Sequence, residues 1–341
     1  MLPVLLAFTF PSWAGAPGWI EIALTALGAA FYFLWQRGRP LTIRSDFYLW
    51  TGMYLVLRAM VWAAGPGYRF ELHTYGVMIA LGFILGIYVA LRQAKREGVD
   101  PNNVLDLSFW ILISSMIGSR GLYILVNLDE YLAEPVFFLK IWQGGLVFYG
   151  GVLGALIAGW TYCRRERLSF LRITDLFIPS VALGHFCGRL GCFSAGCCHG
   201  RPTGLLHYGA IFEAHGTVVA KNRLLGVPLH PTQLYESLGE LLIFALLLWI
   251  RPRKRSHGQL LVAWLFAYPS WRFFTEMFRA DDERGMLLRV DLFGDARPEL
   301  LSTSQIVSLG LLTAGVLLFL SLRRAPFSPA PEPATENRQT L

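Results

Sequence analysis

Apolar and polar positions in this chain alternate on the scale of whole segments. Apolar stretches fall at 19–35, 47–64, 72–91, 104–126, 146–162, 173–187, 234–250, 260–274 and 305–322, with polar or basic segments between them. About 20 apolar residues make a helix that crosses the hydrocarbon core of a bilayer. The pattern therefore predicts an all-α, polytopic membrane bundle of nine spans. The first apolar run, within residues 1–18, is too short to span and lacks the basic start of a secretory signal; it reads as an interfacial segment. Residues 325–341 are rich in Pro, Ala and polar residues without apolar periodicity, which predicts a disordered tail.

Composition supports this picture. Hydrophobic residues make up 54% of the 341 and charged residues 16%, too few charges to coat a soluble protein of this size. A net charge of +7 raises the question of nucleic acid. The basic residues, however, collect at the ends of apolar segments, at 37–44, 92–96, 164–167, 251–255 and 323–324. That is the distribution that sets membrane topology. With nine spans and an external N-terminus, all five clusters face the cytoplasm and residues 127–134, 188–230 and 280–299 lie outside.

Polar residues recur near the outer ends of the predicted spans: His73, Tyr75, Tyr149, His185, Arg189, Arg272, Glu276 and Arg279. Ionisable groups at membrane depth are costly and survive by facing an interior. Arg272, Glu276 and Arg279 share one helical stripe. A stripe of this kind locks helices together or serves a ligand, and two arginines converging on one cavity suit a phosphate, whose oxygens match the guanidinium fork. The segment from His185 to Thr203 holds Arg189, two histidines and four of the five cysteines among glycines. Its spacing suggests irregular backbone that offers amides to an anion, whereas Gly150 to Gly154 reads as close helix packing.

Six motifs together resemble the prolipoprotein diacylglyceryl transferases of bacterial inner membranes: HTYGVMIALGF at 73–83, GSRGLYIL at 118–125, WQGGLVFYGGVLG at 142–154, GRLGCF at 188–193, HPTQLYE at 230–236 and YPSWRFFTEMFR at 268–279. The resemblance divides the chain into an N-terminal extension with two spans (1–70), a seven-span transferase-like membrane domain (71–324) and the tail (325–341). It implies transfer of the diacylglyceryl group of phosphatidylglycerol to the cysteine thiol in the signal-peptide region of a prolipoprotein, with release of glycerol phosphate, at a site facing the outer leaflet, and without a cofactor. It also implies roles for Tyr75, Arg120, Tyr149, Arg189, Gly200, His230, Gln233, Tyr235, Glu236, Tyr268, Arg272, Glu276 and Arg279. Arg189 and Arg272 would hold the phosphate, Glu276 would hold Arg272, and Tyr75 would join them in catalysis. His199 or a donor phosphate oxygen would take the thiol proton.

Three positions depart from the family pattern. Cys192 stands where Asn is usual, Cys197 where Glu is usual, and Tyr149 where a histidine is expected between the glycine pairs. Each change removes a polar contact, and tyrosine, with a reference pKa of about 10, is a poor base near neutral pH. Cys187, Cys192, Cys197 and Cys198 with His185 and His199 raise the question of a metal site, but the spacing of Cys192 and Cys197 is loose and adjacent cysteines rarely both ligate one zinc, so no metal is expected and a disulfide from Cys192 to Cys197 or Cys198 is the structural expectation. Two rival functions stay open at this stage: a diverged protein that binds anionic lipid without transferring it, and a thiol-redox membrane protein.

Overall fold

The computed structural model describes residues 4–9, 69–128, 145, 147–203, 209–214, 217–279 and 302–324. The chain divides into two compact units, residues 2–74 and 75–341. The predicted spans at 19–35 and 47–64, the outer loops at 129–134 and 280–299, and the tail lie outside the described residues. In the first unit, strand β1 (Val4–Thr9) pairs antiparallel with β2 (Arg69–His73). The span expected to begin at residue 72 therefore starts two residues later, after the strand. Over so short a segment apolarity alone does not separate strand from helix.

The second unit is helical, in keeping with the all-α expectation. Its elements are α1 (Thr74–Glu97), α2 (Pro101–Val126), α3 (Phe148–Arg165), α4 (Phe170–Ala195), a short α5 (Val218–Lys221), α6 (Thr232–Ile250), α7 (Gln259–Glu276) and α8 (Thr303–Arg324). The seven long helices match the seven apolar stretches from residue 72 onward. Five segments, α1, α2, α4, α8 and α6 extended to Arg253, are long and apolar enough to cross a membrane by length and composition. Their outward side chains include Ile117, Leu125, Leu242 and Leu317, each at least 60% exposed. A surface of that kind belongs in lipid, and the protein is a multi-pass membrane protein.

Where α2 packs on α3, no side chain fits between the backbones: a Cβ on Gly154 would overlap the Ser114 carbonyl oxygen, and one on Gly150 that of Gly118. Close approach of this kind is what holds membrane helices together, since lipid offers no hydrophobic driving force. α1 meets α4 in the same way, because a Cβ on Gly82 would lie 2.9 Å from Cys187 Cβ.

One end of the bundle is basic and firmly latched. Glu97 at the end of α1 pairs with Arg251 at 2.5 Å and with Lys254 at 3.0 Å. Asp175 of α4, fully buried, caps α7 by accepting from Gly258 N at 2.8 Å and Leu261 N at 3.0 Å. Four arginines lie over an aromatic ring four residues earlier on their own chain: Arg92 over Tyr88, Arg164 over Trp160, Arg253 over Trp249 and Arg323 over Phe319, at 4.4–4.8 Å from the ring centroids. Aromatic rings at headgroup level beside extended basic side chains mark a membrane interface.

Candidate functional site

The opposite end of the second unit collects the polar residues. α4 runs unbroken to Ala195 and ends only where Gly196 adopts φ 65°, so Arg189 and Cys192 sit on regular helix. This corrects the expectation of irregular backbone around Arg189. Gly191 serves packing, because a Cβ there would press on Tyr75 and Met78 of α1 at 3.2 Å, whereas one on Gly188 would meet nothing within 4 Å. Irregular backbone begins later, at Gly196 and at Cys198 with φ 55°.

At the centre is a chain of alternating charge. Arg189 Nε of α4 donates to Glu236 Oε2 of α6 at 2.7 Å, and Arg272 Nη1 of α7 donates to the other oxygen of the same carboxylate. Arg272 Nη2 reaches Glu276 Oε2 at 2.6 Å and Ser304 Oγ of α8 at 3.0 Å. Arg279, just past the end of α7, lies 3.8 Å from Glu276 Oε2. The sequence of side chains is thus Arg189, Glu236, Arg272, Glu276, Arg279, with three positive and two negative charges. Their side chains are between 0 and 17% exposed. Charges buried to this degree are stable only when paired and fixed. The two carboxylates hold the guanidiniums in place, and the group keeps one unit of positive charge in excess. A guanidinium carries five N–H donors, of which a carboxylate takes at most two, so donors remain for a second oxyanion.

One turn deeper, a second rung joins the same two helices. His185 Nδ1 lies 2.8 Å from Glu240 Oε1, with Glu240 3% exposed. Histidine 185 and Arg189 are four apart on α4, and Glu236 and Glu240 four apart on α6, so both pairs face each other across the helix contact. The His185 ring lies 5.4 Å from Tyr268, which stacks on Trp264 at 4.8 Å, and 6.4 Å from Phe148. His185 is among the intramembrane polar residues predicted from the sequence, whereas Glu240 is not among the predicted site residues. The available signal was a carboxylate at 240 inside an otherwise apolar stretch, one helical turn after Glu236.

The loop after α4 closes the site from the side. Gly200 N donates to His230 O at 2.9 Å, Arg201 N to Phe278 O at 3.0 Å, and Gly200 forms a bridge with Arg279. A Cβ on Gly200 would lie 2.5 Å from His230 O, so glycine is required there. Gln233 Nε2 and Thr232 Oγ1, in the first turn of α6, donate to the carbonyls of Cys197 at 2.7 Å and Cys198 at 2.8 Å. His230 Nδ1 meets Tyr235 Oη at 3.3 Å. Burial, aided by the positive charge of Arg201, lowers the His230 pKa below the ordinary imidazole value.

The remaining candidates lie at varied distances from this centre. Tyr75 packs beside Gly191 and is 42% exposed. Tyr149, in the first turn of α3, is 40% exposed and adjoins Phe148. Arg120 donates to Gly145 O at 3.1 Å and lies over the Tyr123 ring, at the turn between α2 and α3, outside the chain of charges. His199 does not suit the role of base. It is 2% exposed, and both ring nitrogens are engaged, Nδ1 with Gly200 O at 3.1 Å and Nε2 with Asn222 Nδ2 at 3.3 Å.

All five cysteines are free thiols, so the expected disulfide is not formed. The argument from loose spacing also fails in three dimensions: the Sγ atoms of Cys192, Cys197 and Cys198 lie within 4.8 Å of one another. The reason is the left-handed turn at Gly196, which folds the loop back over the last turn of α4.

Apolar helices around a buried run of paired arginines and carboxylates define a multi-pass membrane protein with a polar site in its interior. The chain belongs to the prolipoprotein diacylglyceryl transferase family, whose model matches residues 65–321. It is similar to the phosphatidylglycerol–prolipoprotein diacylglyceryl transferase of Finegoldia magna, 35% identical over 251 residues that cover 73% of this chain and 91% of the relative. The enzymes of the same name from Clostridium tetani (31% over 249 residues, 73% and 92% covered) and Pseudoalteromonas atlantica (32% over 263 residues, 76% and 88% covered) are similar as well.

Proposed function

We propose that this chain transfers the diacylglyceryl group of phosphatidylglycerol to the cysteine thiol in the signal-peptide region of a prolipoprotein. The observation that carries the reading is the chain from Arg189 to Arg279, fixed by Glu236 and Glu276 and holding one positive charge in excess. A phosphodiester of charge −1 complements it.

In the reaction the acceptor sulfur attacks the glyceryl carbon next to the phosphate. A carbon–sulfur bond forms, the carbon–oxygen bond breaks, and its electron pair leaves with glycerol phosphate. Negative charge grows on the departing phosphate, which is where preorganised guanidiniums stabilise the transition state most. Glu236 and Glu276 contribute by keeping the arginines in position before the lipid arrives.

The acceptor thiol must lose its proton, since thiolate is the nucleophile. His185 is the base this structure supports. Glu240 engages Nδ1 and fixes the tautomer, which leaves Nε2 to receive the proton. The pair lies one helical turn from Arg189, on the side toward the middle of the bundle, where the phosphate-bearing carbon of the diacylglyceryl group would lie.

The basic end, with its four arginine–aromatic pairs, would face the cytoplasm of the bacterial inner membrane. The site, at the other end, would then open to the outer leaflet, and the N-terminus would be external and the C-terminus cytoplasmic. The test is reconstitution of the full chain in vesicles containing phosphatidylglycerol labelled in its acyl chains, with a lipobox-cysteine peptide as acceptor. Label in a thioether-linked peptide, with stoichiometric glycerol phosphate, supports the reading. Lipid binding without transfer to any acceptor would leave the chain a lipid-binding protein.

A further inference from the structure

Cys192, Cys197 and Cys198 form a cluster that neither the phosphate site nor the proton transfer uses. Three sulfurs within 4.8 Å of one another, each on a partly exposed residue, come from two different local structures. Cys192 is in the last turn of α4, and Cys197 and Cys198 follow the left-handed Gly196. Cys198 itself is held at φ 55°, an unusual conformation for a residue with a side chain. The two hydrogen bonds from Thr232 and Gln233 fix the carbonyls on either side of that turn. The loop is thus braced in the conformation that gathers the thiols.

We propose that these three thiols bind a zinc ion, which ties the loop to α4 beside Arg189. Thiolate is a preferred zinc ligand, with Zn–S near 2.3 Å. Sulfurs of a tetrahedral site then lie roughly 3.7 Å apart, about an ångström inside the 4.8 Å that bounds the present separations. A disulfide would use two of the sulfurs and strand the third, whereas a metal uses all three. His199 is not the fourth ligand, since both its nitrogens are engaged elsewhere. The fourth position falls to water. A bound ion would couple loop position to Arg189 without taking part in the transfer of the diacylglyceryl group.

The test uses the full chain in detergent, purified without chelator, loaded with zinc and dialysed. Elemental analysis should find one zinc per chain. X-ray absorption should show three sulfur neighbours near 2.3 Å and one lighter atom. Cys192→Ser, Cys197→Ser and Cys198→Ser should each lower zinc affinity at least tenfold, and Cys163→Ser and Cys187→Ser should leave it unchanged. Gel-filtration elution and the unfolding midpoint identify any variant that fails to fold, and thiol-specific alkylation of the wild-type chain with and without zinc gives a second reading: zinc should protect three thiols. Wild-type protein that is folded, has its thiols reduced and takes up no zinc overturns the proposal. So does a disulfide among the three after purification without reductant, or zinc retained by the serine variants. None of these outcomes depends on lipid transfer.

Discussion

The guanidinium of Arg189 on α4 meets the carboxylate of Glu236 on α6 at 2.7 Å, and Arg272 takes the other oxygen of that carboxylate. One buried acid thus sets the separation of two arginines that come from helices remote in sequence. Glu236→Ala is expected to leave Arg189 buried without its carboxylate, while Arg272 keeps Glu276, and loss of one partner of a buried ion pair costs about 3–5 kcal/mol. Thermal unfolding in detergent should show a large loss, and Glu236→Gln a smaller one, because the amide still accepts from one arginine.

The His185 and Glu240 pair supports a separate prediction. His185→Asn should lower kcat by about 100-fold or more while leaving the KM for lipid near its wild-type value, since the base acts on the thiol and not on the phosphate. Glu240→Gln should show a milder form of the same pattern. A selenocysteine acceptor, ionised without help, should restore much of the rate to His185→Asn. Loss of lipid affinity in that variant would place His185 in the phosphate site.

Gly154→Ala tests the packing of α2 on α3. The added methyl would collide with the Ser114 carbonyl, and backbone cannot yield as a side-chain tip can. A loss of about 1–3 kcal/mol is expected from overpacking, measured as a lowered unfolding midpoint in detergent.

His230 supplies a pH dependence. Its pKa is lowered in the folded protein by burial and by Arg201, so the folded chain binds this proton less readily than the unfolded one. The stability it contributes is present above the unfolded value of about 6.5 and is lost as pH falls through the lowered one. The unfolding midpoint should drop more steeply on acidification in wild type than in His230→Gln. Identical profiles would remove His230 from the account.

Much of this architecture was legible in the sequence because lipid imposes a simple rule. Apolar stretches of spanning length became α1 to α4 and α6 to α8, and the basic residues after them gathered at one end of the bundle. The limits of α4 were less legible. Arg189, three glycines and two cysteines look like loop, yet Gly191 lets α1 approach while the helix continues to Ala195. The five-residue chain of charges depends on tertiary contact. Spacing placed Arg272 and Glu276 on one face, but nothing in the local pattern showed that Glu236 bridges Arg189 and Arg272. The cysteines were misjudged for the same reason, since linear spacing does not register a left-handed turn at Gly196 that folds the loop over its own helix.

The most direct test of the central claim is the transfer rate of Arg189→Lys, measured in phosphatidylglycerol vesicles with a lipobox-cysteine acceptor. Lysine keeps the charge and loses the planar fork, so it cannot hold Glu236 through one edge while offering further donors to the lipid phosphate. The account predicts a folded protein whose kcat falls about 100-fold or more. Transfer at the wild-type rate would contradict it and reduce the Arg189–Glu236 contact to a link between helices.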